Sequence, residues 1–183
     1  MEIKVAIFED NKTLRESLQQ LINSAGGMVC TGACPDANKL HRNLLAADPD
    51  VVMMDINMPG LSGIDAVKVI REEFPHVQIL MQTVFDDDEK IFAAIYAGAD
   101  GYLLKKAHPV KLIEGILEVM QGGAPMTPSV ARQVLNLFNG KHRKKSSTDF
   151  NLSERETEIL SLLVKGMSYK KIADTYFGQD VSQ

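Results

Sequence analysis

The first 121 residues alternate between short apolar runs and longer stretches in which apolar residues recur every three or four positions. Short runs of this kind predict strands, and the longer spacing predicts amphipathic helices. Several runs show no polar alternation, which indicates strands that are buried on both faces. The pattern therefore predicts an α/β fold, with a doubly wound parallel sheet of five strands in the common order 2-1-3-4-5. The predicted strands are 3–8, 28–34, 51–54, 77–83 and 101–104, and the second helix is predicted over 37–47.

The pattern changes after residue 121. A segment rich in glycine and proline is followed by a short amphipathic helix at 129–138, and the polar stretch 139–149 contains nothing to bury. Ser153 and Glu156 then form a capping box that opens a pair of short helices with a tight turn. We expect three parts: a domain at 1–122, a linker with a short helix and a basic stretch at 123–149, and a small all-α unit at 150–183.

Composition and charge narrow the class of protein. Of the 183 residues, 45% are hydrophobic and 24% are charged, which is typical of a folded chain rather than a disordered one. Apolar runs are too short to cross a bilayer and residues 1–8 do not resemble a signal peptide, which favours a cytoplasmic protein with no membrane partner. The net charge of −4 is uneven, since residues 1–138 hold 12 basic and 18 acidic side chains and residues 139–183 hold 8 and 6. Terminal segments that bind nucleic acid often carry a basic charge of this kind.

The two cysteines lie in the second predicted strand. Cys30 and Cys34 are four positions apart, or about 13 Å along an extended strand. A disulfide requires α carbons within about 7 Å of each other. We therefore expect both thiols to be reduced and to lie in or near the core.

Polar residues with matching chemistry stand at the ends of the predicted strands. Glu9 and Asp10 follow strand 1, and strands 3, 4 and 5 lead to Asp55, Thr83 and Lys105. The carboxyl ends of parallel strands share one edge of the sheet, where ligands bind. Two carboxylates about 4 Å apart repel by on the order of 4 kcal/mol at an effective dielectric near 20, so a cation is expected between them. Oxygen ligands favour Mg²⁺ together with a phosphoryl group.

Phosphoryl transfer is the chemistry that this set predicts. Asp55 is the expected phosphoacceptor because it lies at the centre of the cluster. Charge that develops on the transferred group needs neutralisation from several sides, and Mg²⁺, the Lys105 ammonium and the Thr83 hydroxyl are placed to supply it.

Several motifs stand in order along the first domain: Phe8-Glu9-Asp10-Asn11, 50–60 (DVVMMDINMPG) with Gly63, Thr83, and 101–105 (GYLLK). Together they resemble the receiver domain of bacterial two-component response regulators, over about two thirds of the chain. Residues 150–177 resemble the opening of the LuxR-type helix-turn-helix of the NarL/FixJ subfamily, and Lys106 after Lys105 fits that subfamily.

The resemblance implies a flavodoxin-like receiver in which a sensor histidine kinase donates a phosphoryl group to Asp55. Asp10 and Asp55 would bind Mg²⁺ directly, Asn57 would offer its backbone carbonyl, and Glu9 would act through water. Such a protein is a phosphoacceptor rather than a conventional enzyme.

The resemblance also implies a switch. Thr83 and the aromatic Tyr102 would remodel the face built from helix 4, strand 5 and helix 5, and so control homodimerisation and transcription. A strand aromatic is just as often an ordinary core residue, so both interpretations of Tyr102 stay open.

Binding to promoter DNA is expected of the full-length natural protein only. The helix that reads bases in a LuxR-type domain would begin after residue 177, and residues 178–183 neither resemble the family nor supply basic side chains. We therefore expect the chain to end before the recognition helix, with no DNA-binding residue of its own.

Two other functions remain open. A stand-alone receiver module would act by dimerisation or phosphoryl sequestration without DNA, through the face just described or through helices 1 and 5. A phosphatase of the haloacid-dehalogenase type also uses Mg²⁺ and an aspartate, but it places that residue after strand 1 with a second aspartate two positions on. Here Asp55 follows strand 3, and Asn57 occupies the second position.

Overall fold

The computed structural model describes residues 2–84 and 87–138, and these form a five-stranded parallel sheet with helices on both faces. The sheet order is β2-β1-β3-β4-β5, so the predicted doubly wound α/β fold is confirmed. The strands are β1 (Ile3–Phe8), β2 (Met28–Cys34), β3 (Val51–Asp55), β4 (Gln78–Thr83) and β5 (Gly101–Leu104). The helices are α1 (Lys12–Ser24), α2 (Leu40–Ala47), α3 (Gly63–Glu73), α4 (Asp88–Ala97), α5 (Pro109–Met120) and α6 (Pro128–Phe138).

Two apolar layers enclose the sheet. Successive residues of a strand face opposite sides, so Met53 packs in the layer beneath α1 and α5 while Met54 packs in the layer beneath α2, α3 and α4. All five residues of β3 are buried. The uninterrupted apolar run of the sequence is thus explained by a central strand that is covered on both faces.

The predicted start of the second helix is wrong by three residues, because α2 begins at Leu40 instead of residue 37. The Asp36 carboxylate accepts a hydrogen bond from the Asn38 amide at 2.8 Å, which forms a turn. Aspartate favours such local turns over a helical start.

The two cysteines are free, as expected. An irregularity in the β1–β2 register falls between Val5 and Ala6, which pair with Cys30 and Gly32. The skipped position moves Cys30 into the layer with α1 and Cys34 into the opposite layer. Burial raises the pKa of both thiols.

A short segment after α5 pairs with the outer edge of β5. The Tyr102 amide donates to the Pro125 carbonyl at 2.8 Å, and the Tyr102 carbonyl accepts from the Thr127 amide at 3.3 Å. Pro125 fits here because Gly101 has no side chain: a Cβ on Gly101 would lie 2.7 Å from the proline ring. The start of the predicted linker therefore lies against the sheet.

Helix α6 continues from this segment and packs against α4. Val130 is fully buried in the same apolar layer as Ile91 and Ala94 of α4. The rest of the predicted linker, 139–149, and the predicted unit 150–183 lie outside the described residues. Among the helices of residues 2–84 and 87–138, none has the length and apolar character needed to span a membrane.

Candidate functional site

Three of the predicted site residues come together at the carboxyl edge of β1 and β3. Glu9, Asp10 and Asp55 each offer a carboxylate oxygen, and these oxygens lie within 4.8 Å of one another. Glu9 is 1% exposed and Asp55 is 5% exposed, whereas Asp10 is open to solvent. The three carboxylates form an acidic pocket in which Asp10 is the exposed member.

Lys105 joins the two buried carboxylates. Its ammonium lies 2.7 and 2.9 Å from the two carboxylate oxygens of Glu9 and 2.9 Å from Oδ2 of Asp55. The Lys105 side chain is only 13% exposed, so solvent screens these ion pairs weakly. Three carboxylates and one ammonium leave a formal charge of −2 in the pocket, which equals the charge that one divalent cation neutralises.

The pKa values of Glu9 and Lys105 are both shifted in this pocket. Burial raises the pKa of Glu9 above its ordinary value, although the hydrogen bond and charge of Lys105 act in the opposite direction. Burial alone would lower the pKa of Lys105, but hydrogen bonds and charges from Glu9 and Asp55 together outweigh it and raise that pKa. Lys105 therefore remains a cation at neutral pH.

The turn after β1 is fixed by local hydrogen bonds. Asn11 caps α1 by accepting from the Leu14 amide at 3.0 Å, and its own amide donates to Glu9 Oε1 at 3.2 Å. Arg15 donates to the carbonyl oxygens of Glu9 and Asp10 at 2.6 and 3.2 Å. Sequence analysis missed Arg15, although its place in the first turn of α1 lets its side chain reach back toward the preceding loop.

Gly63 sets the path of the loop that follows Asp55. A Cβ on Gly63 would lie 1.9 Å from the Asp55 carbonyl oxygen, which no side chain can occupy. The Gly63 amide also donates to the Ile56 carbonyl at 2.9 Å. The start of α3 is thus held directly against the end of β3.

Asn57 contacts a residue that sequence analysis did not anticipate. Its Oδ1 accepts a hydrogen bond from Lys90 Nζ at 3.3 Å. Lys90 belongs to α4, 33 positions away, so no local pattern pointed to the pair. The contact connects the loop after β3 with α4.

Thr83 and Tyr102 are both fully buried. Thr83 ends β4 and its carbonyl accepts from the Lys105 amide at 2.7 Å, which places it at the same sheet edge as the acidic pocket. Tyr102 pairs with Met81 within the sheet and packs in the layer that contains Ile91. This location fits a core aromatic, and the predicted switching role stays a prediction.

Comparison with known proteins gives a consistent family assignment. Residues 5–117 match the response regulator receiver domain. The chain is 33% identical to the oxygen regulatory protein NreC of Staphylococcus carnosus over 180 residues, which cover 96% of this chain and 83% of that protein. It is also 33% identical to the transcriptional regulatory protein YxjL of Bacillus subtilis over 180 residues, with 96% and 82% covered.

Solved structures agree. A LuxR-family two-component response regulator from an Aurantimonas species superposes with a TM-score of 0.71 at 27% identity, over 76% of this chain and 99% of that one. The response regulator ChrA of a heme-sensing two-component system gives a TM-score of 0.64 at 30% identity, over 96% and 82%. The matched region contains the acidic pocket and Lys105. The chain therefore belongs to the family of two-component response regulators, as a receiver domain with LuxR-family relatives.

Proposed function

We propose that Asp55 accepts a phosphoryl group from a sensor histidine kinase, with Mg²⁺ bound beside it. The observation that carries this proposal is the Lys105 ammonium, which bridges Asp55 and Glu9 at 2.7 to 2.9 Å in a pocket that also holds Asp10. A cation held against a buried carboxylate is what transfer of a phosphoryl dianion to that carboxylate requires.

The donor set fits Mg²⁺. This ion prefers oxygen ligands and binds through one or two carboxylates together with a phosphate. Asp10 and Asp55 would bind directly, the Asn57 backbone carbonyl would complete the protein ligands, and Glu9 would act through a water molecule. When bound, Mg²⁺ would neutralise charge on the transferred phosphoryl oxygens.

Asp55 supplies the nucleophile. Lys105 holds Oδ2, which leaves Oδ1 to form the new bond to phosphorus while the phosphorus–nitrogen bond of phosphohistidine breaks. The leaving imidazole keeps the electron pair and takes a proton from solvent. Lys105 and the Thr83 hydroxyl would then contact the phosphoryl oxygens from the β5 and β4 sides. The protein is consumed stoichiometrically as acceptor, unlike a conventional enzyme.

The proposed output is a change in the face formed by α4, β5 and α5. Exposed apolar side chains on α4 and α5 support homodimerisation through these two helices, since dimerisation would remove them from water, while the 125–127 segment already pairs with the outer edge of β5. Phe92 and Tyr96 are stacked on α4 with ring centroids 6.0 Å apart, and Leu117 is exposed on α5. Control of transcription in the cytoplasm, with promoter DNA as the partner of the full-length protein, completes the proposal; it is supported by the LuxR-family relatives.

Intact-mass spectrometry after incubation with Mg²⁺ and acetyl phosphate tests the acceptor. The parent chain should gain one phosphoryl group, lose this ability with EDTA, and gain none as Asp55→Asn. Asp65→Asn, a substitution on the exposed surface of α3, should behave as the parent. An equal adduct on Asp55→Asn, or none on the parent, would refute the proposal.

Sedimentation velocity tests the output. Phosphorylated parent protein should form a dimer, and Leu117→Lys should remain monomeric because a charge would have to be buried. If Leu117→Lys dimerised with unchanged affinity, the interface would not include α5.

A further inference from the structure

A groove lies between α1 and the start of α5, on the face of the sheet that these two helices cover. Its volume of about 480 Å³ is within the range of small-molecule pockets. The apolar part of its lining comes from both helices: Leu14, Leu18 and Leu21 of α1, and Pro109 and Leu112 of α5. The groove can therefore receive an apolar molecule.

Gln82 is a polar side chain in this apolar lining, and it is only 5% exposed. Leu80 packs in the layer beneath α1 and α5, and residues two positions apart on a strand share a face, so Gln82 points toward the same helices. Within the part of the chain that the structure describes, the Gln82 side-chain amide has no hydrogen-bond partner. Buried polar groups nearly always have one, so this amide is available to a molecule that enters the groove.

The amide determines which head group fits. A glutamine side chain offers a carbonyl acceptor and N–H donors, and a carboxamide presents the same two kinds of group in return. A neutral head is favoured over an anionic one, because Gln82 is the register partner of Asp55 and the acidic pocket carries a formal charge of −2. Lys105 also lines the groove, but its ammonium is already paired with Glu9 and Asp55. An anion would therefore be repelled.

We propose that the groove binds a small neutral amphipathic molecule, whose carboxamide pairs with Gln82 and whose apolar body lies between α1 and α5. This binding goes beyond the proposed phosphoryl transfer and does not require it. A molecule in the groove would lie against Lys105, which holds the Asp55 carboxylate. Occupancy of the groove would thus be felt at the acidic pocket.

Titration of the isotope-labelled full chain with hexanamide, followed by NMR, tests this inference. Hexanamide combines the carboxamide head with a short apolar body. We expect a dissociation constant of roughly 1 mM, which is ordinary for so small a ligand. The signals that should shift saturably are the Gln82 side-chain amide and the methyl groups of Leu14, Leu18 and Leu112. Hexanoate has the same body with an anionic head and should bind about tenfold more weakly.

Two glutamines of β4 give matched variants. Gln82→Met keeps the length of the side chain and removes the amide, and should weaken hexanamide binding about fivefold, which is the effect of one neutral hydrogen bond. Gln78→Met changes the first residue of the same strand, which does not line the groove, and should bind as the parent does.

Three results would overturn the inference: no saturable shifts, shifts remote from the groove, or equal affinity of Gln82→Met and the parent. If the leucine signals moved with protein concentration alone, a second copy of the chain would cover the groove and the inference would also be wrong. None of these results bears on phosphorylation of Asp55, which the mass measurement tests separately.

Discussion

Replacing Lys105 with methionine tests the electrostatic account of the site. Methionine keeps an unbranched stem but removes the ammonium, which leaves Glu9 and Asp55 as adjacent buried carboxylates. Their oxygens lie within 4.8 Å of each other, so at an effective dielectric of about 20 their repulsion is at least about 3.5 kcal/mol. Removal of one partner from a buried ion pair costs a similar amount, about 3 to 5 kcal/mol. We expect Lys105→Met to lower the free energy of unfolding by about 3 kcal/mol.

Urea denaturation followed by circular dichroism measures this loss. The matched control is Lys4→Met, which breaks an ion pair with Asp48 whose side chains are 44% and 76% exposed. Solvent screens that pair, so its loss should cost far less than the loss of Lys105. If Lys105→Met and Lys4→Met had equal effects, the view that Lys105 neutralises buried charge would be wrong.

The pH dependence of the loss gives a second check. Burial already raises the pKa of Glu9, and Lys105 is the main group that opposes this rise. Without Lys105 the folded-state pKa should move further above the ordinary value of 4.5. A raised folded-state pKa means that protonated Glu9 stabilises the fold at low pH and that this stability is lost as pH rises through that pKa. The deficit of Lys105→Met should therefore be larger near pH 8 than near pH 5, and the opposite trend would contradict the assignment.

Two further substitutions test the packing at the start of α3 and beneath α6, each by urea denaturation. Gly63→Ala should cost about 2 kcal/mol, because its methyl group would overlap the Asp55 carbonyl. Gly26→Ala, where a Cβ meets nothing within 4 Å, should cost far less; equal losses would argue against the close approach. Val130→Ala removes two buried methyl groups from α6 and should cost about 2 kcal/mol. Leu135→Ala on the exposed side of α6 should be nearly neutral, and a neutral Val130→Ala would show that α6 is not part of the folded core.

The fold and the acidic pocket could be predicted because both depend on simple rules. Continuous apolar runs require parallel strands, and parallel strands bring their carboxyl ends to one edge. Glu9, Asp10, Asp55 and Lys105 each lie at the end of a strand or within two residues of it, so their convergence is a consequence of topology. Side-chain conformation matters little for such a prediction.

The contacts that were missed depend on the reach of side chains between elements. Lys90 contacts Asn57, which is 33 positions away, and no sequence pattern near either residue predicts the contact. The irregularity beside Cys30 is a shift in the register between β1 and β2. It depends on the pairing of two strands, so the sequence of one strand does not predict it. Pro125 packs against Gly101 because the missing side chain leaves room, and this fit depends on two segments that are distant in the sequence.

The Pro125–Thr127 segment, by pairing with β5, protects the edge of the sheet from pairing with another chain. An uncovered edge strand presents amides and carbonyls that can recruit a foreign strand and lead to aggregation. The Tyr102 amide and carbonyl are both occupied by this segment, and Val130 covers the apolar layer beside them. A fragment that ends at Gln121 would expose that edge and would lack the Val130 side chain that fills part of the core. The smallest fragment that resists aggregation should therefore extend through α6 instead of ending after α5.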